Sequence, residues 1–317
     1  MMSVNNPIPT MVIFGPTASG KSRLAMHLGK LLKTEIVVCD SVQLYKQFNI
    51  GSAKPSPEDQ ARIPHHMIDI LDCSADYDAA SYAEKARQNI SEIVQRGALP
   101  VVVAGTGLYL RALLSQNYNR NLPQDLTLRQ GLEKKSPQEL YVQLKELDPQ
   151  RAGELHVNDK YRVMRALELN IVTGQTCAQL FKQQDEKPVL QPLFGIYVNP
   201  DRGVLHSQIK NRCKEMLNNG LVQEVDDLLR NDCEETCKPM QSIGYLQVQN
   251  YLKGLYKDQE ELLEKMTAAT RQYAKRQCTW FKKLNYNFEI NNQNEQTLLV
   301  LIAEIRKFYS SYREINI

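Results

Sequence analysis

The chain has 317 residues, of which 42% are hydrophobic and 24% are charged, and its formal net charge is +3. This composition is typical of a globular protein and excludes collagen-like, coiled-coil and intrinsically disordered chains. The length predicts about two domains. Because the net charge is small, it does not by itself indicate a nucleic-acid partner, and any basic surface must come from local clustering.

The seven cysteines are scattered along the chain, are odd in number and form no C-x-x-C pair. This pattern argues against a secreted disulfide framework and against a zinc ribbon, and it fits a reducing cytosol. Neither a signal-peptide pattern nor a stretch of roughly 18 consecutive apolar residues occurs. We therefore expect a cytoplasmic protein that is not exported and does not span a membrane.

The first hundred residues or so alternate short β-branched runs with helical patterns, as βαβ units of a parallel sheet do. The predicted strands are Thr10–Phe14, Glu35–Cys39, Met67–Leu71 and Pro100–Ala104. The predicted helices between and after them are Lys21–Leu32, Ala80–Gln95 and Thr106–Leu114.

Residues 115–192 lose the β-branched runs and predict an inserted all-helical domain. In it, Ser136-Pro137-Gln138-Glu139 is a predicted capping box, and Asn158 is expected to cap a helix over Asp159–Thr173. The run Leu193–Val198 is predicted to return to the sheet. It is followed by predicted helices over Asp201–Asn219, Leu221–Arg230, Ile243–Lys253 and about Gln259–Leu284, and by a last short strand, Asn285–Ile290.

The segment Gly15-Pro16-Thr17-Ala18-Ser19-Gly20-Lys21-Ser22 matches G-x-x-x-x-G-K-[ST] and lies between a predicted strand and a predicted helix. Its glycines let consecutive backbone N–H groups face a phosphate, Lys21 adds positive charge, and Ser22 is a ligand for Mg²⁺. The segment predicts a site for a ligand with two or more phosphates and Mg²⁺. The predicted fold class is α/β, a P-loop kinase-like parallel sheet flanked by helices, built from residues 1–114 and 193–317 around the insert.

Other parts of ATPases and GTPases are missing from the sequence. No N-K-x-D motif occurs, and the predicted strand Pro100–Ala104 ends in Gly105-Thr106 instead of an acid. An acid follows the strand Glu35–Cys39 instead, at Asp40. A carboxylate at the carboxyl end of a parallel strand is placed to act on a substrate as a general base. The alternative is that Asp40, with Ser41, only caps the next turn.

A basic aromatic segment lies late in the chain. Between Lys265 and Phe288 there is no acidic residue, whereas five cations alternate with four aromatic residues. The cations Arg271, Lys275 and Lys282 fall near one helical face, and Arg276 adjoins them. A segment that carries only positive charges indicates contact with phosphates. The alternative is that the aromatic residues form part of the core and the cations are simply solvated.

A second basic patch in the insert comprises Arg151, Lys160, Arg162 and Arg165, on a helix that also carries Glu168. Together with the P-loop, the two patches predict an enzyme whose second substrate is a folded nucleic acid.

Eight segments in chain order carry a family resemblance. They are Gly15–Ser22, Asp40–Lys46, Gly51–Pro55, Pro64–Asp69, Gly105–Tyr109, Asn158–Glu168, Ile243–Tyr245 and Arg271–Trp280. From about residue 10 to 283 the chain resembles bacterial tRNA dimethylallyltransferases of the tRNA isopentenyltransferase family. The resemblance implies transfer of a dimethylallyl group from its diphosphate to N6 of adenine 37, beside the tRNA anticodon, with release of diphosphate.

The resemblance also implies roles for individual residues. The P-loop would bind the diphosphate leaving group, with Lys21, Thr106 and the general base Asp40 as catalytic residues. The implied tRNA contacts are Asp40, Ser41, Val42, Gln43, Thr106, Arg129, Tyr161, Arg162, Val163, Met164, Arg165, Met240, Gln241, Ser242, Ile243, Gly244 and Tyr245, and the charge pattern adds Arg271, Lys275 and Arg276. The implied cofactor is Mg²⁺, and the implied partners are tRNA and dimethylallyl diphosphate, bound by a monomer.

Two positions depart from the family pattern. Ala104 stands where a glycine is usual, and Leu246-Gln247 replace a basic residue followed by a polar or acidic one. Two other functions remain as alternatives: a P-loop kinase that phosphorylates a small metabolite with ATP, and a non-catalytic P-loop module that binds RNA.

Overall fold

The computed structural model describes residues 8–115, 122–182, 190, 193–231 and 233–310. The chain divides into two compact units, one formed by residues 1–114 and 189–317 and the other by residues 115–188. In these described ranges, no helix combines the length and the apolar character needed to cross a membrane.

A six-stranded sheet lies in the described part of the first unit. Its strands are β1 (Thr10–Phe14), β2 (Thr34–Cys39), β3 (His65–His66), β4 (Leu99–Ala104), β5 (Leu193–Val198) and β6 (Phe288–Ile290). The spatial order is β3-β2-β4-β1-β5-β6, and every neighbouring pair is parallel. The predicted α/β fold with a parallel sheet is confirmed. Because β2, β4 and β1 are neighbours, the loops that follow them meet at one edge of the sheet.

Helices cover the sheet and build the second unit. In chain order they are α1 (Lys21–Gly29), α2 (Pro57–Arg62), α3 (Ala79–Gln95), α4 (Gly107–Leu114), α5 (Leu126–Glu133), α6 (Pro137–Leu147), α7 (Pro149–Glu154), α8 (Lys160–Thr173), α9 (Cys177–Lys182), α10 (Arg202–Asn218), α11 (Leu221–Arg230), α12 (Tyr245–Leu252), α13 (Gln259–Phe281) and α14 (Glu295–Tyr309). Helices α5 to α9 belong to the second unit and the others to the first.

The core of the first unit follows from strands that are apolar on both faces. All residues of β1 and β4 are buried, as expected for central strands of a parallel sheet with helices on both sides. Helix α14, which the sequence analysis did not predict, places Leu301 and Ile305 in the same apolar cluster as Met11 and Val101.

The prediction of a strand over Met67–Leu71 is wrong. Strand β3 is His65–His66. Met67 and Asp69 have φ angles of +61° and +54°, in the left-handed region, which interrupts an extended strand. Leu71 instead forms an isolated bridge to Tyr45.

Helix boundaries also differ from the predictions where the backbone turns. Helix α12 begins at Tyr245 and not at Ile243, because Gly244 has a φ of +98°. Helix α1 ends at Gly29, before the predicted Leu32. The last strand covers only Phe288–Ile290 of the predicted range.

In the second unit, local side-chain capping sets the helix starts. The predicted capping box of α6 is confirmed, since Ser136 Oγ accepts from Glu139 N at 3.3 Å and a Glu139 carboxylate oxygen accepts from Ser136 N at 2.7 Å. The prediction that Asn158 caps α8 is wrong by one residue. Asp159 takes that position, and its carboxylate accepts from Arg162 N at 3.3 Å.

Glu168 of α8 is a fully buried carboxylate that ties the second unit together. It accepts hydrogen bonds from Asp125 N at 2.8 Å, Arg129 Nε at 2.9 Å and Arg165 Nη1 at 2.5 Å. Burial by itself raises the pKa of Glu168, but these hydrogen bonds outweigh that effect and hold the pKa below its ordinary value. The carboxylate is therefore charged and compensated at neutral pH.

We expect Glu168→Gln to lower the free energy of unfolding of the second unit by about 3 kcal/mol, because two arginines lose their buried counter-charge. A matched control is Glu154→Gln, which removes the exposed partner of Arg151 at 2.6 Å and is expected to cost less than about 1 kcal/mol. Because the pKa of Glu168 is lowered on folding, its contribution is present above the ordinary glutamate pKa and is lost as the pH falls below it. Urea unfolding, with hydrogen exchange of the α8 amides, measures both effects, and equal losses in the two variants would contradict the prediction.

Candidate active site

The phosphate-binding loop Gly15–Ser22, or P-loop, follows β1 and has a backbone conformation that few side chains tolerate. Gly15 has a φ of +156°, and a Cβ there would lie 2.2 Å from the Val198 carbonyl oxygen. Gly20, with a φ of +91°, precedes the first residue of α1. Ala18 also adopts a left-handed φ, +61°. The loop is thus held in a tight turn that directs backbone N–H groups and the N-terminus of α1 toward one point.

The side chains of the loop are arranged as in a phosphate site. Ser19 Oγ is buried and has no hydrogen-bond partner among the described residues, so a polar ligand is needed to satisfy it. Lys21 Nζ donates to the loop's own Pro16 carbonyl at 2.6 Å. Ser22 is exposed toward a cavity, where its hydroxyl fits an oxygen-liganded cation.

The pKa of Lys21 is far below that of an ordinary lysine. Burial first, and then the positive charge of Arg212, lower the pKa of Lys21 to about 7, against opposing contributions from Asp40 and Cys278. This brings the pKa of Lys21 close to neutral pH. An anionic ligand would favour the charged form and draw a proton onto Nζ.

Asp40 uses its two carboxylate oxygens differently. Oδ1 accepts from Val42 N at 2.9 Å and from Gln43 N at 3.4 Å, which is the turn-capping role considered from the sequence. Oδ2 lies 3.5 Å from the position that a Cβ on Gly105 would take, and no hydrogen bond to it occurs among the described residues. The cap therefore leaves one oxygen of Asp40 available to a ligand.

The Gly105-Thr106-Gly107 segment packs against the Asp40 turn. Gly105 N and Thr106 N both donate to the Cys39 carbonyl at 3.1 Å, and Thr106 Oγ1 accepts from Ser41 N at 3.1 Å. Gly107 is required by close packing, because a Cβ there would lie 2.7 Å from the Trp280 ring. Thr106 is thus adjacent to Asp40, as the sequence analysis implied.

The side-chain amide of Gln277 on α13 forms hydrogen bonds to the P-loop and to the loop after β4, and the sequence analysis did not single it out. Gln277 Oε1 accepts from Thr17 N at 2.8 Å, and its Nε2 donates to the Gly105 carbonyl at 2.6 Å. A buried polar residue on the apolar stripe of α13, between Ala274 and Phe281, was the available signal.

Two cavities meet at Asp40. The first, of about 600 Å³, has a polar side that includes Lys21, Ser22 and Arg212 and an apolar wall of Ala25, Met26, Ile36, Val38 and Val103. The second, of about 340 Å³, is lined by Ser41, Val42, Gln241, Ser242, Ile243, Gly244 and Arg276. Thr17, Asp40, Arg212 and Tyr273 line both cavities.

Arg212 is the main site residue that no motif indicated. It lies on α10 next to Cys213, beside the stripe of buried residues through which that helix packs. Burial lowers the pKa of its guanidinium, and the charge of Asp40 opposes this shift. Its position beside the apolar stripe of α10 was the only sequence signal, and such a position alone is not specific.

Glu224 is a second residue that the sequence did not single out. Its carboxylate accepts from the backbone N–H groups of Asn49, Ile50 and Gly51 and from the Tyr245 hydroxyl, at 2.7 to 3.2 Å. It thereby holds the segment before Ala53 and Lys54 against α12, and these two residues line the first cavity.

The predicted tRNA-contacting residues of the first unit are only partly accessible. Met240 and Tyr245 are fully buried, so the wall of the second cavity is formed by the residues between them. Gln247, one of the departures from the family pattern, accepts from Gly244 N at 2.7 Å and stabilises this turn. Ala104, the other departure, is fully buried at the end of β4.

The cations of α13 point in different directions. Arg276 lines the second cavity, with its guanidinium 5.8 Å from the Tyr273 ring centroid. Arg271 and Lys275 line another cavity, of about 630 Å³, with Lys282. The prediction that Arg271, Lys275 and Lys282 share a face is confirmed.

The remaining predicted tRNA contacts, Arg129 and the range 161–165, lie in the second unit. Val163 and Met164 are buried there, so their side chains pack in the core and are not available to a ligand. Arg129 and Arg165 bind Glu168. Tyr161 is 69% exposed, and the Arg162 side chain is 65% exposed although it pairs with Asp159, so contact in this range depends on these two.

A phosphate-binding loop after β1, an acid after β2 and cations that line adjoining cavities define an α/β P-loop enzyme that acts on a phosphorylated substrate. A family model described as IPP transferase matches residues 43–284. The chain belongs to this family of prenyltransferases. The kinase and the non-catalytic alternatives are not supported.

Curated relatives agree with this assignment. A tRNA dimethylallyltransferase of Halorhodospira halophila is 42% identical over 281 residues, which cover 86% of this chain and 90% of the relative. One from Thermoanaerobacter sp. (strain X514) is 37% identical over 287 residues, covering 89% and 90%.

Solved structures are similar over nearly the whole chain. A tRNA isopentenylpyrophosphate transferase of Bacillus halodurans has a TM-score of 0.69 and 32% identity and covers 96% of this chain and 97% of its own. A eukaryotic dimethylallyltransferase acting on tRNA has a TM-score of 0.81 and 27% identity, covering 96% and 80%.

The lowered pKa of Lys21 predicts that diphosphate binding is coupled to proton uptake. Because the bound anion favours charged Lys21, we expect binding of inorganic diphosphate at pH 8 to take up roughly one proton more than the anion itself accounts for, and its affinity to fall as the pH rises above about 7. Lys21→Arg keeps a permanent charge and should bind without this uptake.

Calorimetry in two buffers of different ionisation enthalpy measures the uptake. The control is Lys30→Arg, the same substitution at an exposed position at the end of α1, which should behave as the unchanged protein. The same proton uptake in Lys21→Arg as in the unchanged protein would contradict the assignment.

Proposed function

We propose that this protein transfers a dimethylallyl group from dimethylallyl diphosphate to N6 of adenine 37 in the anticodon loop of tRNA. The observation that carries the proposal is the position of Asp40 where two cavities meet, one containing the P-loop and the other lined by Gln241–Gly244. A group-transfer reaction between two substrates needs this arrangement, because the donor and the acceptor must approach one point from different sides.

The first cavity is suited to the donor. Its cationic side fits a diphosphate, with Lys21 and Arg212 as counter-charges and Ser19 Oγ as a free hydrogen-bonding group. The apolar wall fits the hydrocarbon tail. Ser22 would hold Mg²⁺, which would add positive charge at the diphosphate oxygens and make diphosphate a better leaving group.

The second cavity is suited to an extruded base. An anticodon-loop adenine must leave the stack before its exocyclic amine is accessible, and a volume of about 340 Å³ lies within the range of small ligand sites. Thr106 and Ser41 lie beside Asp40 at this point. Adenine N6 would thus be presented to Asp40 from the second cavity, while the donor occupies the first.

The chemistry is a substitution at the allylic carbon. The N6 nitrogen forms a bond to C1, the C1–O bond breaks, and diphosphate leaves with the electron pair. The N6 proton goes to Asp40 Oδ2, because the lone pair of an aromatic amine is delocalised and proton removal assists attack. Tyr273 is unsuited to this role, because burial and then the charge of Asp40 raise its pKa far above the ordinary value.

Cations would bind the tRNA backbone around this site. Arg276 lines the acceptor cavity, and Lys275 is exposed on the next face of α13. In the second unit, Tyr161 and Arg162 are exposed aromatic and cationic groups that would make a separate tRNA contact. A monomeric state and a cytoplasmic location stay predictions.

The direct test is incubation with dimethylallyl diphosphate, Mg²⁺ and unmodified tRNA, followed by mass spectrometry of the nucleosides. We expect a dimethylallyl gain on adenosine at position 37, in equal amount to the diphosphate released. A reaction with ATP alone serves as the control for kinase activity, and phosphate transfer to a small molecule without any nucleoside gain would refute the proposal.

Asp40→Asn separates the two uses of the Asp40 carboxylate. The asparagine oxygen still accepts from Val42 N and Gln43 N, so the turn is kept, but the group no longer takes up a proton. We expect the rate of transfer to fall about 100-fold or more, with tRNA affinity nearly unchanged. The control is Asp59→Asn, an acid that also lines the first cavity. A rate close to that of the unchanged protein would remove Asp40 from the general-base role.

Joint substitution of Lys275→Ala and Arg276→Ala should weaken tRNA binding and reduce the slope of log affinity against log salt by roughly one to two units, because two phosphate contacts are lost. Arg306→Ala with Lys307→Ala, two exposed cations of α14, is the matched control and should leave the slope unchanged. Filter binding across a salt series measures both. An identical slope in the two double variants would place the RNA-binding surface elsewhere.

A further inference from the structure

Three cysteines that are distant in sequence meet in the first unit. Cys73 lies in the loop after β3, and Cys233 and Cys237 lie in the turn after α11. Their sulfur atoms all lie within 4.8 Å of one another, and Cys233 Sγ and Cys237 Sγ are 3.4 Å apart. The sequence analysis treated these residues as scattered, because no C-x-x-C spacing marks them.

We infer that Cys73, Cys233 and Cys237 form a binding site for Zn²⁺. Four ligands at about 2.3 Å in a tetrahedron place sulfur atoms about 3.8 Å apart, which is compatible with a Cys233–Cys237 separation of 3.4 Å and an upper limit of 4.8 Å for all three pairs. Three thiolates leave one coordination position. Because Cys73 and Cys237 are partly exposed, water is available for that position.

The backbone around the cluster is well defined. Cys233 N donates to the Leu228 carbonyl at 3.1 Å, and Cys237 N donates to the Glu234 carbonyl at 3.1 Å. On the opposite loop, Asp76 pairs with Lys238 at 2.6 Å. These contacts hold the two segments together, so the thiols approach one another without a metal, and little reorganisation is needed for binding.

A disulfide explains the cluster less completely. Joining Cys233 to Cys237 would use two of the three sulfur atoms and leave Cys73, which comes from a different loop, without a role. All three thiols are accounted for if the cation binds them with release of three protons.

The site would brace the acceptor cavity, a consequence that rests on the proposed function. The turn with Cys233 and Cys237 leads directly into the short 3₁₀ helix Pro239–Gln241 and then into the wall of the second cavity. Zinc would fix this wall to the loop after β3, and the backbone of residues 241–244 would become less mobile.

The test uses the full chain, purified with reductant and stripped by a chelator, with Co²⁺ as the spectroscopic probe. We expect one equivalent of Co²⁺ to produce thiolate charge-transfer and tetrahedral absorption bands that Zn²⁺ displaces. Cys73→Ser and Cys237→Ser, each at a partly exposed position, should weaken metal binding at least about tenfold. Cys278→Ser, at a position of similar exposure on α13, is the control and should bind as the unchanged protein does.

The site is refuted by the absence of a thiolate band or by equal bands in Cys73→Ser and the unchanged protein. Hydrogen exchange then tests the brace: Zn²⁺ should slow exchange of the amides 241–244 at least about threefold. If Zn²⁺ does not alter the exchange rates of these amides, the bracing role is refuted, whereas the metal site itself is not. None of these measurements uses tRNA or dimethylallyl diphosphate, so their outcome is independent of the proposed reaction.

Discussion

The side-chain amide of Gln277 is the interaction on which the geometry of the site depends. It binds the P-loop through Thr17 N and the loop after β4 through the Gly105 carbonyl, at 2.8 and 2.6 Å. One buried amide thus joins two strand ends of the sheet to the helix that carries the cations. Because a buried amide that loses one partner leaves the other polar group unsatisfied, the three elements are held in one arrangement.

The charged groups around Asp40 also depend on one another. Its Oδ1 is occupied by the turn that it caps, while Oδ2 has no hydrogen bond among the described residues. Burial and then the charge of Arg212 lower the pKa of Lys21, burial also lowers the pKa of Arg212, and the charge of Asp40 opposes both shifts. A bound diphosphate would relieve this repulsion. The free site therefore carries more positive charge than is favourable, and in the proposed reaction the leaving group supplies the missing negative charge.

Local signals predicted the elements that depend on nearby residues. The P-loop, the four strands whose sequences are apolar and β-branched, and the capping box of α6 all follow from short segments. The strand over Met67–Leu71 failed because two left-handed residues interrupt an apolar run, and a hydrophobic pattern does not report φ. Helix α14 was missed although local signals for it were present, since Asn294 caps it and Leu301 enters the core.

The sequence by itself determined the class of sheet, the phosphate-binding loop, the family and the acid at the end of β2, because each depends on residues that are adjacent in the chain. Only the tertiary structure decided which groups meet. Arg212, Gln277, Glu224 and the three cysteines act through partners that lie 160 or more residues away in several cases, such as Gln277 with Thr17 at a separation of 260. The physical reason is that parallel strands bring their ends together while their connections are long, so the composition of the site follows strand order in space and not order in the chain.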